Sequence, residues 1–350
     1  MLSKVLLSFL LMSTGTYPIM DKSGVAPGAD KGVNIDIARK YHSLTTLKAV
    51  VDELKRGNGT YLQLHFSDNK NYGIASPYLK QTSTKTNSKY LTSKELKELI
   101  KYSNDRSILV IPDIDMPAHS KAWLSKVKPR LKKNERIAAD FDSSVVNYFD
   151  NQAAVTHSKA LLSEVMKQFE QPKYRGSQRI VIGGDEVPGA FSYQSYLIRY
   201  INTLADYTMY KGYKPQIWND SITSTGLSKL HRSLSILYWA QNGGRSNGSN
   251  VSVEEFTNKG FNVYNYNSMS LYFIPSSTYS SRTIKGQSIY IKSFYKPNRF
   301  HQKGNYYYSV TAPRISGSAL SFWGEHSAGL TQKQLLAQEL PLIKSYLQVR

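Results

Sequence analysis

Arg179-Ile-Val-Ile-Gly-Gly-Asp-Glu-Val187 is a short apolar run, two glycines and then two adjacent carboxylates. Ile180, Val181 and Ile182 suit a buried strand. Gly183 and Gly184 let the backbone leave that strand or come close to a ligand. Side chains alternate along a strand, so Asp185 and Glu186 serve one site only if the chain turns there. Alone, the stretch reads equally as a solvated acidic turn or as the rim of a catalytic site, and the rest of the chain decides.

Upstream, Val33–Arg39 alternates as a strand with Arg39 just past its end. Ser43 then caps a helix spaced Leu44, Leu47, Val51, Leu54. Tyr61–Asp68 is a second strand and rim, residues 69–92 a polar loop, and Ser93–Tyr102 a helix. Ser107–His119 is a third strand whose rim carries Asp113, Asp115 and His119. Residues 120–150 are basic and irregular, and Gln152–Phe169 is an amphipathic helix leading into the Arg179 strand. Downstream, a helix at 193–210 precedes strands Lys214–Asp220 and Leu234–Trp239. A Gly/Ser/Asn loop at 241–250, a helix at 253–259 and a strand Phe261–Tyr266 follow. Tyr272, a polar tyrosine-rich loop at 276–312, a strand Gly317–Glu325 and a helix Gln332–Leu347 complete the chain.

Eight strands, mostly alternating with helices within 350 residues, predict a single (β/α)8 TIM barrel. No repeat period suggests a solenoid. A doubly wound open sheet is the alternative, but it calls for a glycine-rich phosphate turn after the first strand, and none is present. Arg39, Asp68, His119, Asp185, Glu186, Trp218, Trp239, Tyr272, Trp323 and Glu325 all follow strands, and in such barrels those ends converge on one face.

The chain contains no cysteine, which excludes disulfides, thiolate catalysis and Cys-based zinc sites. Residues 1–16 resemble a short secretory signal peptide: one cation, an apolar run from Val5 to Met12, then small residues. A linker is expected at 17–31 and the catalytic domain at 32–350, in an extracellular protein with no membrane span, as a monomer. The net charge of +20 draws the protein to anionic surfaces such as a cell wall, or is a solvated surface with no specific partner. No nucleic-acid-binding motif accompanies it.

Three tryptophans at converging strand ends form a candidate aromatic box, against which a pyranose can stack its C–H faces. Arg39 and Glu325, from the first and last strands, either hydrogen-bond sugar hydroxyls or pair with each other. Adjacent Asp185 and Glu186 do not suit ordinary glycosidase chemistry, whose two carboxyls lie across the scissile bond, about 5–5.5 Å or about 6.5–9.5 Å apart. Substrate-assisted catalysis removes the difficulty: a 2-acetamido group attacks its own anomeric carbon, one acid protonates the leaving oxygen, and the other holds the acetamide. A non-catalytic sugar-binding barrel is one alternative. A metal-dependent hydrolase or deacetylase using Asp113, Asp115, His119 and His65 is another, although no His-x-His or His-Glu-x-x-His spacing occurs.

Gly183-Gly-Asp-Glu186 resembles the signature of glycoside hydrolase family 20, the β-N-acetylhexosaminidases. Asp113-Ile-Asp-Met-Pro-Ala-His119, Leu64-His-Phe-Ser-Asp68, Trp218-Asn-Asp220 and Trp323-Gly-Glu325 resemble its other blocks, in order. Asp36-Ile-Ala-Arg39 and Asn265-Tyr-Asn-Ser268 with Leu271-Tyr272 are similar to a secreted, biofilm-degrading member. The resemblance implies hydrolysis of poly-β-(1,6)-N-acetylglucosamine without cofactor or metal. It implies Glu186 as general acid and then base, Asp185 on the acetamido nitrogen, and Tyr272 on the acetamido oxygen. Trp218, Trp239 and Trp323 would line the pocket, Arg39 and Glu325 would hold hydroxyls, and Asp68 and His119 would stand behind the acid. An ionised Asp185 is expected to raise the pKa of Glu186. One departure is Val181, where the family usually has histidine.

Overall fold

The computed structural model describes residues 25–240, 251–302, 305–312 and 314–349; the leader at 1–16 and the loop at 241–250 lie outside these. Seven parallel strands pair in chain order: β1 (Val25–Asp36), β2 (Tyr61–Ser67), β3 (Leu109–Ile114), β4 (Arg179–Val181), β5 (Lys214–Trp218), β6 (Ser235–Tyr238) and β7 (Asn262–Asn265). The two-residue β8 (Tyr272–Phe273) follows, and β9 (Arg299–Gln302) and β10 (Asn305–Ser309) form a separate antiparallel pair. β11 (Ile315–Phe322) pairs in parallel with β7, with β8 and finally with β1, which closes the barrel.

Alternation along the strands explains their mixed composition. In β2, Leu62, Leu64 and Phe66 face the helix layer, while Tyr61, Gln63 and His65 point inward, and all are buried. The interior is plugged by a second cluster that includes Tyr61, Ile111, Val181, Trp218 and Trp323. Val181 is thus part of the apolar floor beneath the strand ends. At the opposite end, the buried Arg179 lies against the rings of Tyr61 and Tyr264 and reaches Asp30 at 2.9 Å, linking β4 to β1 across the barrel.

Helices cover the outside. On α1 (Leu44–Arg56), Ser43 Oγ accepts the Thr46 N–H, and Leu47, Val50, Val51 and Leu54 are buried, each contributing about 1.5–3 kcal/mol. Thr92 and Glu95 form a capping box on α2 (Ser93–Asp105).

Three segments expected to be irregular contain regular elements among their described residues. β1 begins at Val25, inside the stretch read as linker, because β11 supplies a backbone partner to residues whose side chains do not favour strand. Within 120–150, α3 (Lys121–Val127) buries Ala122, Trp123, Leu124 and Val127. After α4 (Gln152–Gln168), α5 (Gln194–Tyr210), α6 (Ser224–Leu227) and α7 (Val253–Asn258), the supposed loop at 276–312 contains α8 (Ser281–Phe294) as well as β9 and β10. α8 buries only Ile284 and Ile291 and so has no apolar stripe to read. α9 (Gln332–Leu347) ends the described chain, and no helix among the described residues is long and apolar enough to cross a membrane.

Candidate active site

The acid pair sits where β4 leaves the sheet. Gly183 and Gly184 have φ of +95° and +101°, and Glu186 itself has +47°. A Cβ on Gly183 would lie 2.1 Å from the Met116 carbonyl oxygen, so only glycine lets the loop after β3 pass this closely. The chain turns here, and both acids reach His119: its Nε2 is 3.3 Å from Glu186 Oε2 and 3.8 Å from Asp185 Oδ2. That is the shared placement the sequence required.

The loop after β5 fixes the turn. Asp220 Oδ2 accepts the Glu186 N–H at 2.8 Å, and its Oδ1 accepts Trp239 Nε1–H at 2.9 Å. Ser221 Oγ accepts the Val187 N–H at 2.9 Å. A chain of charges runs in from the other side. Asp36, buried, accepts the Arg39 and Gly324 N–H groups and pairs with Arg39 Nη1 at 2.9 Å. Arg39 Nη2 lies 2.7 Å from Asp68, and Nη1 3.8 Å from Glu325, so these rim residues do meet. Asp68 in turn lies 3.7 Å from His119 Nδ1.

The aromatic residues also converge. Trp239 and Tyr272 are stacked at 5.9 Å, Tyr272 lies 5.4 Å from Trp323, and Trp323 6.0 Å from Trp218. Trp218 is fully buried and forms the floor; Trp239 and Tyr272 are half-buried walls. Asp185 Oδ1 is buried and accepts no hydrogen bond from an N–H group of the described residues, while the neighbouring Asp115 carboxyl hydrogen-bonds the same side chain.

The electrostatics correct one expectation. Glu186 is held below its usual carboxylate range, chiefly by its hydrogen bond to His119. His119, 3.3 Å away, rather than Asp185 sets the direction of this shift. Burial works against a charged His119, but Glu186, Asp185 and Asp68 outweigh it and push its pKa up. Asp68 resists burial through His65, Arg39 and His119 and falls to about 2. The neutral forms gather around Asp185: burial and then its charge push Asp115 well up and bring Asp220 to about 7. Tyr272 is likewise pushed up, first by burial and then by Asp185, so it remains a phenolic donor.

Of the four residues in the metal-site alternative, the fold separates two pairs. His65 and Asp113 meet each other at 3.2 Å inside the barrel, while Asp115 and His119 come together with Asp185, donor atoms within 4.8 Å of one another. Asp115, buried and pushed toward its neutral form, is a weak ligand as it stands. Asp36 and Asp220 were not singled out as site residues from the sequence, and Asp115 only as a candidate metal ligand. Each follows or ends a strand, and that position was the available signal.

A closed parallel barrel whose mouth joins adjacent acids to four aromatic rings defines a carbohydrate-processing barrel. Residues 31–337 match the glycosyl hydrolase family 20 catalytic domain, and the chain belongs to that family. Similar curated proteins include the β-hexosaminidase subunit beta of Entamoeba histolytica, 27% identical over 174 residues, covering 46% of this chain and 29% of that protein. The β-hexosaminidase of Vibrio furnissii is 27% identical over 179 residues, covering 45% and 29%. The chain thus spans less than a third of the length of either relative. Among solved structures, dispersin B superposes with a TM-score of 0.82 at 26% identity, covering 91% of this chain and 98% of that one. The β-N-acetylhexosaminidase of Bacteroides fragilis shares the fold, with a TM-score of 0.62 at 20% identity and coverage of 91% and 66%.

Proposed function

We propose that this protein is a β-N-acetylhexosaminidase that cleaves β-linked N-acetylglucosamine with retention, the substrate supplying its own nucleophile. The observation that carries this reading is the convergence of Asp185 and Glu186 on one histidine nitrogen, which supports both acids acting from one side of the sugar. The acetamido oxygen attacks the anomeric carbon as the glycosidic C–O bond breaks, and Glu186 gives its proton to the leaving oxygen. Water then opens the cyclic intermediate at the same carbon while Glu186 takes a proton back. Asp185 accepts the acetamido N–H on its buried Oδ1, which has no N–H donor of its own, and Tyr272 donates to the acetamido oxygen. Trp218, Trp239 and Trp323 enclose the sugar; Arg39 and Glu325 hold its hydroxyls. Glu186 is about half exposed, and a sugar lying over it displaces water and so favours its proton-bearing form.

Poly-β-(1,6)-N-acetylglucosamine is the polymer we propose, on the fold-wide similarity to dispersin B. Release of N-acetylglucosamine from β-(1,6)-linked oligomers tests this, and exclusive release from β-(1,4)-linked oligomers would overturn it. The leader-like residues 1–16 support secretion, and the net charge of +20 supports retention on an anionic wall or matrix. Retention that does not weaken with salt would count against the latter. A metal-dependent deacetylase rests on the Asp115, His119 and Asp185 group; loss of turnover on chelation would favour it.

A further inference from the structure

A group of rings beside the acid pair plays no part in the chemistry above. Tyr148 Oη donates to the Pro188 carbonyl at 2.8 Å, only two residues beyond Glu186. Tyr148 stacks on Phe149 at 4.4 Å, and Phe149 carries Phe141 at 5.9 Å and Tyr193 at 5.0 Å, both edge-on. Phe141 is 54% and Tyr193 48% exposed. Two large rings held in the open on a buttressed base mark a binding surface more than a packing remnant. They come from the loops after β3 and β4. In the ring of strands β4 stands four places from β11, on the opposite side of the mouth from Glu325. A saccharide whose terminal sugar is held at Arg39 and Glu325, with its scissile oxygen at Glu186, therefore continues over these rings.

We propose that Phe141 and Tyr193 form a platform for the N-acetylglucosamine units on the leaving-group side of the scissile bond, stacking on their C–H faces. This rests on the site assigned above, but not on its chemistry. The test is calorimetric binding of N-acetylglucosamine and of its β-(1,6)-linked trisaccharide to the full chain carrying Glu186→Gln, which prevents turnover. Added Phe141→Ala or Tyr193→Ala should lower the trisaccharide-to-monosaccharide affinity ratio about tenfold, the order expected of one stacked ring, and Tyr193→Phe should keep it. An unchanged ratio, or equal losses for both sugars, would overturn the platform. A protein lacking Glu186→Gln that hydrolyses no hexosaminide, while the alanine variants still lower the ratio, would sink the catalytic reading and leave the platform standing.

Discussion

Asp220 accepts the backbone N–H of Glu186 at 2.8 Å, and the same carboxyl accepts the indole of Trp239. One side chain therefore sets both the left-handed turn that aims the acid and the wall that encloses the sugar. Asp220→Ala should lower kcat/KM for a hexosaminide by about 10²-fold, the cost of a small misplacement of a catalytic group. Asp220→Asn keeps one acceptor and should lose less. Undiminished turnover by the alanine variant would remove Asp220 from this role.

His119 keeps Glu186 below the usual carboxylate range. Removing that hydrogen bond raises the pKa of Glu186, so a general acid stays protonated to higher pH. With His119→Ala, the alkaline limb of the kcat/KM profile should move upward even as the overall rate falls. A limb that stays in place, or moves toward acid, would contradict the pairing.

The two glycines before the acids differ in what surrounds them. A Cβ on Gly183 would meet the Met116 carbonyl at 2.1 Å, whereas the nearest atom to one on Gly184 is 3.5 Å away. Both have positive φ, so Gly184→Ala should cost about 1–2 kcal/mol and Gly183→Ala about 3 kcal/mol or more. Urea denaturation orders them; equal costs would mean that the loop after β3 yields easily.

The buried His42 Nε2 lies 2.8 Å from Glu339 Oε1, tying the segment after β1 to α9. Burial opposes its charge, but Glu339 outweighs burial and raises the pKa of His42 above its unfolded value. The pair's contribution is therefore fully present below the unfolded histidine pKa of about 6.5 and is lost as pH rises through the folded one. Glu339→Gln should cost about 3–5 kcal/mol near pH 6 and progressively less in alkali. A pH-independent cost would contradict this.

The barrel was legible because its strands are apolar runs closed by glycine and polar residues, and because the acids and tryptophans recur just beyond them. Arg39 and Glu325 could be paired from sequence because ring closure alone makes the first and last strands neighbours. What sequence could not show depended on partners distant in the chain. The start of β1 is held by backbone pairing to β11, and α8 fully buries only Ile284 and Ile291. The direction of the Glu186 shift was misread because adjacency suggested Asp185 as its neighbour, while the fold brings in His119, 67 positions earlier. The basic charge of the chain gave no sign of that local field.

Comparing hydrolysis of an aryl β-N-acetylglucosaminide with that of the matching plain β-glucoside asks whether the sugar's own acetamide does the attacking. A rate on the N-acetyl sugar greater by several orders of magnitude, falling about 10²–10⁴-fold with Glu186→Gln, is the predicted result. Comparable rates on the two sugars would contradict it.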